Sequence, residues 1–384
     1  MFISNDIKYI GVNDHVLDMF EGQYPIPNGM SYNSYVILDE KIAVMDTVDA
    51  GFTNEWLNNL DAALNGRRPD YLVVHHMEPD HSSNMMEFAL RYPNAKIVAS
   101  PRAFMMMKYF FGTEFEDRRI IAKEGDTLSL GRHELSFIHA PMVHWPEVMM
   151  SYDSCDKVFF SADAFGKFGA LDVEEDWTDE ARRYYISIVG KYGVQVQNLL
   201  KKIRGFDIDM ICSLHGPVLK GDISYYLGKY DVWSSYAPED EGVLVAYTSI
   251  YGNTGKAVME LKSVLEAKGE RVYLRDLARC DMSEAVADAF RYGKIVLATT
   301  TYNGDIFPFM KEFIDHLLER NFQKRRLGII ENGSWAPMAA KIMRDLLEKS
   351  KDIRYYDTVV RILSSLKEEN YEQIRSLAEE IVSS

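Results

Sequence analysis

The sequence is poor in cysteine. Cys155, Cys212 and Cys280 are the only three in 384 residues, and they lie far apart with no C-x-x-C pair. This distribution supports neither a disulfide framework nor a cage of thiolates around a metal. A metal site in this chain is therefore expected to use nitrogen and oxygen ligands.

Positive charge and long apolar runs are also scarce. The chain has 43 Lys and Arg against 58 Asp and Glu, a net charge of −15, which argues against a nucleic-acid-binding protein with its basic surface. It has no apolar run of about 18 residues that could span a membrane, and its N-terminus lacks the basic and apolar parts of a signal peptide. These absences predict a reduced, soluble, cytoplasmic protein.

The length and an apolar fraction of 47% predict two globular domains, residues 1–240 and 241–384. In the first, short strands alternate with turns and helices, and an Asp/Thr cap signal begins a helical pattern over 176–205. Residues 233–242 are small, polar and Pro-containing, as in a linker. Strict alternation of strands and helices after it predicts a doubly wound α/β domain with a parallel sheet.

Three loops of the second domain are expected at the carboxyl ends of neighbouring strands. The first, "TSIYGNTGK" (248–256), offers hydroxyls and backbone amides at the start of a helix, which can hold a phosphate without a cationic side chain. The others, "TTTYNGDIFP" (299–308) and "ENGSWAPM" (331–338), add aromatic faces. Together the loops suit FMN and resemble those of the flavodoxin family, although each alone is also a good turn. The predicted FMN-binding residues are Ser249, Ile250, Tyr251, Gly252, Asn253, Thr254, Thr301, Tyr302, Asn303, Gly304, Asp305, Asn332, Gly333, Ser334, Trp335 and Ala336.

Histidines and carboxylates follow four predicted strands of the first domain, in "HHMEPDH", "MVHWPE", "SADAFG" and "SLHGP". If these loops meet at one end of a sheet, they bring seven nitrogen and oxygen ligands together. An acidic loop with incidental histidines is the alternative. The predicted metal ligands are His76, Glu78, Asp80, His81, His144, Asp163 and His215.

The first of these motifs contains two adjacent histidines, of which one is predicted to be a ligand. Alternation along 71–76 places His75 and His76 on opposite faces, and the spacing H-x-E-x-D-H is satisfied only from His76. His75 is therefore predicted to pack beside the site. No role is predicted for three histidines in surface-like contexts, His15, His133 and His316.

The spacing H-x-E-x-D-H, with His, Asp and His at later strand ends, resembles the metallo-β-lactamase fold. This resemblance implies an αββα sandwich of class α+β for residues 1–240. In that fold the motif is usually H-x-H-x-D-H and supports two-metal hydrolysis, whereas Glu78 stands here in place of the second histidine. A carboxylate at this place favours iron or manganese over zinc. With a bridging Asp163, the first metal would take His76, Glu78 and His144, and the second would take Asp80, His81 and His215.

Both domains, in this order, resemble the flavodiiron proteins over residues 1–384. The resemblance implies an oxidoreductase that reduces dioxygen to water or nitric oxide to nitrous oxide, with FMN and two non-haem irons as cofactors. It also implies a head-to-tail homodimer or a dimer of dimers, with the FMN of one subunit near the irons of the other. Tyr24 is predicted to line the gas pocket. Glu147 stands where the family often has aspartate, a change expected to affect only the surroundings of the ligands.

No rubredoxin-like C-x-x-C pair follows the second domain, so electrons are expected from a separate rubredoxin-like protein or a reduced deazaflavin coenzyme. Three alternatives remain open: a hydrolase of the metallo-β-lactamase fold with a fused flavodoxin domain, an electron carrier without enzymatic activity, and a deazaflavin-coenzyme oxidase. The sequence does not rank dioxygen against nitric oxide.

Overall fold

A computed structural model describes residues 3–384 of the chain. The chain divides into two compact units, Met1–Asp231 and Val232–Ser384, called here the first and second unit. None of the helices in residues 3–384 has the length and apolar character needed to cross a membrane.

The first unit is built from short strands and helices. Its strands are β1 (Ile7–Tyr9), β2 (Val12–Asp14), β3 (Met19–Phe20), β4 (Tyr24–Pro25), β5 (Met30–Tyr32), β6 (Tyr35–Leu38), β7 (Ile42–Met45), β8 (Tyr71–Val74), β9 (Lys96–Ala99), β10 (Arg119–Ile121), β11 (Thr127–Ser129), β12 (Glu134–His139), β13 (Met149–Asp153), β14 (Val158–Phe160), β15 (Met210–Cys212) and β16 (Leu219–Lys220). Its helices are α1 (Thr53–Leu64), α2 (Pro79–Ser82), α3 (Met85–Arg91), α4 (Pro101–Phe111), α5 (Trp177–Tyr184) and α6 (Gly193–Ile203), and α7 (Ile223–Ser234) contains the division between the units.

These strands form two mixed six-stranded sheets, in the orders β1-β6-β7-β8-β9-β10 and β11-β12-β13-β14-β15-β16. One hydrophobic core joins them, because Met45 and Val73 of the first sheet pack in the same cluster as Phe137 and Phe160 of the second. Alternate residues on the other face of the first sheet, such as Val44, are buried as well. Burial on both faces requires a covering layer of helices, as in the αββα sandwich.

Strand direction places several loop starts at one edge of the second sheet. β12 and β14 are both antiparallel to β13, and β15 is parallel to β14. β12, β14 and β15 therefore run the same way, and their carboxyl ends lie at one edge. The loops that follow them carry His144, Asp163 and His215.

The helical pattern predicted over 176–205 is confirmed, but the helix is not regular throughout. The Asp176 carboxylate does cap α5 by accepting a hydrogen bond from the Thr178 amide, at 2.8 Å. Beyond α5, however, Tyr185–Val189 form a π-helical turn and Gly190–Tyr192 a 3₁₀ turn before α6 begins. Residues 181–186 are buried in succession, which a regular helix with one exposed face does not provide.

The second unit is a doubly wound domain. Its strands are β17 (Asp240–Tyr247), β18 (Val272–Asp276), β19 (Tyr292–Tyr302), β20 (Asp305–Ile306), β21 (Arg326–Asn332) and β22 (Arg354–Ile362), and its further helices are α8 (Asn253–Ala267), α9 (Met282–Arg291), α10 (Pro308–Glu319), α11 (Ala339–Leu347) and α12 (Glu368–Val382). The main sheet has the order β18-β17-β19-β21-β22 with parallel pairing throughout. This order confirms the predicted flavodoxin-like architecture. The connection between α7 and β17 covers residues 235–239, shorter than the predicted linker.

Candidate metal centre and cofactor pocket

Four of the predicted ligands form one compact group at the carboxyl edge of the first unit's sheets. Their ligand atoms all lie within 4.8 Å of one another, and the four residues are His76, Glu78, His144 and Asp163. Oε2 of Glu78 lies 3.1 Å from Nε2 of His76 and 3.0 Å from Nε2 of His144. Atoms bound to one metal at about 2.1 Å each are separated by such distances.

A second group lies beside the first and consists of Asp80, His81 and His215. Oδ2 of Asp80 is 3.2 Å from Nε2 of His81 and 3.4 Å from Nε2 of His215. The two imidazole nitrogens are 3.0 Å apart. The side chains are therefore arranged in space as two groups that correspond to the two predicted sets of ligands.

Asp163 faces both groups with one carboxylate. Its Oδ2 lies 3.0 Å from Nε2 of His144 in the first group. Its Oδ1 lies 3.4 Å from Nε2 of His81 and 3.8 Å from Nε2 of His215 in the second. The flanking Ala162 and Phe165 have φ of 50° and 67°, a left-handed conformation that costs energy in residues with a side chain and is concentrated at functional sites.

Buried polar atoms without a partner show that the residues present fit divalent cations. Within residues 3–384, both carboxylate oxygens of Asp80, Oδ1 of Asp163 and Nδ1 of His81 are buried and make no hydrogen bond. Leaving such atoms unsatisfied is unfavourable. The chemistry of the set, imidazole and carboxylate without sulfur, suits iron or manganese between these atoms.

Two of the histidines are oriented by hydrogen bonds at the far side of the ring. Nδ1 of His76 lies 2.8 Å from Oε1 of Glu147, and Nδ1 of His215 lies 2.8 Å from the carbonyl oxygen of Ser31. The carbonyl accepts a proton held on Nδ1, so Nε2 of His215 presents its lone pair to the site. A carboxylate or carbonyl behind a histidine is the usual support of a metal-bound imidazole.

The charges of the site shift the pKa values of its members strongly. Burial lowers the pKa of His144, but its hydrogen bonds to Asp163 and Glu78 outweigh this and raise the pKa to about 9. Burial raises the pKa of Asp163, but the nearby charges of His76 and His81 and the hydrogen bond from His144 hold it well below its usual range. Metal ions would replace protons at these nitrogens, because a metal-bound imidazole is neutral.

Two other histidines lie outside both groups. His75 has Nδ1 at 2.5 Å from Oδ2 of Asp46 and Nε2 at 2.8 Å from Oγ of Ser151. His133, which the sequence context places at the surface, is in fact fully buried. That expectation was wrong because His133 is enclosed by Asp153, at 3.0 Å from its Nδ1, and by Asp6, neither of which is near it in sequence.

Aromatic rings that the sequence analysis missed enclose His215. The ring centroids of Phe20 and Tyr184 lie 5.5 Å from that of His215, and the ring of Tyr32 lies 6.0 Å from it. They belong to segments without a metal-binding motif, so no local signal marks them. Tyr24 has its hydroxyl 3.3 Å from the carbonyl oxygen of Ser187, and its role in a gas pocket stays a prediction.

The second unit has a cavity of about 570 Å³ at the carboxyl ends of β17, β19 and β21. This volume is in the range of small-molecule sites. All the predicted FMN-binding residues line it except Gly252 and Asp305, and the sequence analysis missed three further lining residues, Thr300, Met338 and Ser364. Gly252 has φ of 85° directly before α8, and Asp305 is engaged by Lys311.

The chemistry of this cavity fits FMN. Asn253 and Thr254 of the first turn of α8 line the cavity, and Ser249 Oγ accepts a hydrogen bond from the Gly255 amide at 3.1 Å. A helix start of this kind attracts a phosphate. Tyr251 is 92% exposed and Trp335 is 83% exposed, so two large aromatic faces are open to a flat ring system.

Comparison with known proteins agrees with this geometry. Residues 30–216 match the model of the ODP family beta lactamase. The chain is similar to the anaerobic nitric oxide reductase flavorubredoxin of Aeromonas hydrophila, with 29% identity over 366 residues, 91% of this chain and 73% of the relative. Its structure is similar to the flavodiiron protein of Giardia intestinalis, with a TM-score of 0.92, 25% identity and coverage of 99% of this chain and 95% of the other. The rubredoxin oxygen:oxidoreductase of Desulfovibrio gigas has the same fold, with a TM-score of 0.92 and 24% identity over 100% of this chain and 98% of the other.

The predicted resemblance to the flavodiiron proteins is confirmed. Flavodiiron proteins are oxidoreductases that use FMN and a non-haem diiron centre, so both predicted cofactors are confirmed for the family. The two predicted folds are confirmed as well. The assignment of individual residues to the metals and to FMN stays a prediction that the geometry above supports.

Proposed function

We propose that this flavodiiron protein reduces dioxygen to water, nitric oxide to nitrous oxide, or both, at two irons supplied with electrons by FMN. The observation that carries the proposal is the Asp163 carboxylate, which has one oxygen toward each group of ligands. Two metals joined in this way can stabilise both oxygens of a small reacting molecule. The A. hydrophila relative is named a nitric oxide reductase, and the D. gigas structure an oxygen oxidoreductase, which supports both gases.

The proposed residues follow from the two groups and the cavity. One iron would be held by His76, Glu78, His144 and Asp163, and the other by Asp80, His81, Asp163 and His215. FMN would be held by the loops over 249–254, 301–305 and 332–336 in a domain that we assign to residues 241–384, with the diiron domain at 1–240. Tyr24 is proposed as a more distant wall of the gas pocket.

When bound, the two irons would supply open coordination positions and electrons for gas reduction. The chain supplies orientation, through Glu147 behind His76 and Ser31 behind His215. It also supplies a proton-bearing hydroxyl. Burial and the charges of the site raise the pKa of Tyr184 well above its usual range, so its phenol keeps its proton. That hydroxyl is buried and, within the described residues, has no hydrogen-bond partner, and the ring that carries it lies 5.5 Å from that of His215.

Three rivals differ from this proposal in their metal, their turnover or their electron donor. A hydrolase of the metallo-β-lactamase fold would hold zinc and turn over without flavin, whereas Glu78 in the first group favours iron. An electron carrier without enzymatic activity would lack gas turnover at a fully loaded site. A deazaflavin-coenzyme oxidase would differ only in its donor, because the same irons would receive the electrons.

The electron donor and the assembly are part of the proposal. We expect an external donor, a rubredoxin-like protein or a reduced deazaflavin coenzyme, and a head-to-tail homodimer or dimer of dimers in the cytoplasm. Sedimentation of the FMN-loaded protein would test the assembly. A monomer that keeps full gas turnover would contradict it.

The deciding experiment is metal and flavin analysis followed by anaerobic turnover. Protein produced with iron should contain about two irons and about one FMN per chain, as a two-metal site and one flavin cavity require. With rubredoxin as donor it should consume dioxygen, nitric oxide or both, and the ratio of the two rates gives the preference. Zinc with hydrolytic turnover, or two irons with no consumption of either gas, would overturn the proposal.

A further inference from the structure

The second unit carries another cavity, here called the basal cavity, at the edge of its sheet opposite the FMN pocket. It has a volume of about 490 Å³ and is bordered by the amino-terminal ends of four strands. Asp240 begins β17, Gly293 and Lys294 lie near the start of β19, Arg326 begins β21 and Arg354 begins β22. Because the sheet is parallel, these strand starts all lie at one edge, away from the loops that would hold the flavin.

Two arginines without a counter-charge stand side by side in the basal cavity. Arg326 and Arg354 are register partners on β21 and β22, whose strands lie about 4.8 Å apart. Both side chains are exposed, and within residues 3–384 neither makes an ion pair or a side-chain hydrogen bond. Like charges directly opposite each other destabilise a sheet. Although the chain has 58 acidic residues, none within the described part of the chain forms an ion pair with Arg326 or Arg354.

A third arginine beneath them is buried with its charge uncompensated. Arg325 is 2% exposed, and its guanidinium donates to backbone carbonyls, among them those of Tyr236 at 2.8 Å and Ala289 at 3.1 Å. Burial lowers the pKa of Arg325 to about 10, which still leaves it charged at neutral pH. Next to it, Lys324 Nζ donates to the carbonyl oxygen of Ser235 at 2.8 Å. Carbonyls satisfy these donors but do not neutralise their charge.

Carboxylates also line the basal cavity, but they do not balance it. Asp240 is occupied by Arg291 at 2.6 Å, and among the cations Lys294 is occupied by Glu270 at 2.7 Å. The charged side chains that line the cavity outside these two ion pairs are four cations and two carboxylates, Lys324, Arg325, Arg326, Arg354, Glu241 and Asp352, and Ser384 also lines it with its main-chain carboxylate. The cavity is therefore locally basic on a chain whose net charge is −15.

We propose that the basal cavity binds a small phosphorylated molecule, with Arg326 and Arg354 as the residues that hold its phosphate. A guanidinium group binds phosphate through two parallel hydrogen bonds. A doubly charged phosphate compensates both arginines, whereas a single carboxylate compensates one. The volume of the cavity is that of a site for a small metabolite, and Pro238 provides an apolar wall.

Inorganic pyrophosphate is the probe that tests this site. It is titrated calorimetrically, at low ionic strength, into the full chain loaded with iron and FMN. We expect saturable binding at one site per chain, weakened by at least about tenfold in Arg326→Gln/Arg354→Gln because both charge-assisted contacts are lost. Arg68→Gln/Arg204→Gln removes two exposed arginines of the first unit and should bind as the parent does. The flavin spectrum must stay unchanged during the titration.

Thermal unfolding gives an independent readout. Pyrophosphate should raise the melting temperature of the second unit in the parent and not in Arg326→Gln/Arg354→Gln, because a ligand of the folded state stabilises it. Absence of saturable binding, equal binding by both double variants, or release of FMN by pyrophosphate would each overturn the proposal. Malonate binding as tight as pyrophosphate would overturn the preference for phosphate.

Discussion

Oε1 of Glu147 lies 2.8 Å from Nδ1 of His76 and accepts a second hydrogen bond from the Met77 amide, at 2.9 Å. Glu147 is 2% exposed and His76 is fully buried. The carboxylate therefore fixes the orientation of the His76 ring, and it also holds the position of the backbone next to His76. A negative group behind an imidazole also makes the ring a better electron donor to a metal.

Replacing this carboxylate should weaken iron binding. Glu147→Gln keeps the size of the side chain but loses its charge, so we expect iron affinity to fall about 10- to 100-fold, as for other supporting residues of metal-bound histidines. Competition with a chelator measures the change. Glu174→Gln, at an exposed position, is the matched control and should bind iron as the parent does. Unchanged affinity in Glu147→Gln would show that the hydrogen bond does not support a metal ligand.

Glu78 is the residue whose replacement should change the identity of the metal. Its Oε2 lies within 3.1 Å of two imidazole nitrogens, so a histidine here would turn the first group toward the nitrogen-rich set that suits zinc. We expect Glu78→His to contain more zinc and less iron than the parent, and to reduce gas more slowly. Elemental analysis and turnover check this. Glu78→Asp keeps the carboxylate and should keep the preference for iron. Parental iron content and turnover in Glu78→His would contradict the role given to Glu78.

Gly166 allows two ligand loops to approach each other closely. A Cβ at this position would lie 2.9 Å from the carbonyl oxygen of Asp163 and 3.3 Å from Cβ of His215. We expect Gly166→Ala to destabilise the first unit by about 1–3 kcal/mol through overpacking and to lower its iron content. Gly228→Ala in α7 meets nothing within 4 Å and should be neutral or stabilising. Denaturant midpoints of the iron-free proteins provide the comparison, and equal midpoints for Gly166→Ala and the parent would refute the packing argument.

The predicted ligands can be selected from the sequence because each lies in a short motif directly after a strand. Alternation along β8 separates His75 from His76, and the later strands end at one edge of the sheet, so local patterns suffice to select the set. The fold of the flavodoxin-like unit can also be predicted from the sequence, since strand and helix alternate without interruption and the predicted phosphate loop follows β17. These features depend on neighbours in sequence, which is why they can be predicted.

The rest of the site depends on contacts between distant segments. Ser31 supports His215 across a separation of 184 residues, and Tyr184 reaches the same histidine from the end of α5. No periodicity reveals such a contact. The π-helical and 3₁₀ turns between α5 and α6 coincide with burial of consecutive residues, which the helical pattern of 176–205 does not reveal. His133 was misassigned for the same reason, because its carboxylate neighbours come from other segments.

His133 should make the stability of the first unit depend on pH. Burial lowers the pKa of His133, but the hydrogen bond and charge of Asp153 outweigh this and raise it above its usual value. A raised pKa in the folded state means that the imidazolium contributes stability fully below about pH 6.5, the value in unfolded chains, and that this contribution is lost as the pH rises through the folded pKa. We expect the melting temperature of His133→Gln to fall furthest below that of the parent near about pH 6, with a smaller difference near about pH 9.

The control for this pH dependence is an exposed pair of the same kind. Nε2 of His15 lies 2.9 Å from Oδ1 of Asp172, but both side chains are more than half exposed, so His15→Gln should change the melting temperature little at any pH. A difference between His133→Gln and the parent that is the same at both pH values would mean that the ring contributes through packing alone.

Thr254 is the hydroxyl whose removal should weaken FMN binding. It lies in the first turn of α8, is 3% exposed, and its Oγ1 accepts a hydrogen bond from Nδ2 of Asn332 at 3.3 Å, so it links two of the loops that line the cavity. A phosphate at this helix start would gain a hydrogen bond from the Thr254 hydroxyl in addition to the backbone amides. We expect Thr254→Val to bind FMN about tenfold more weakly, the effect of losing one hydrogen bond to a charged group. Fluorescence titration of the flavin-free protein measures this, and Thr254→Ser, which restores the hydroxyl, should recover most of the affinity. If Thr254→Val and Thr254→Ser bound FMN equally well, the phosphate would have to be held by the amides alone.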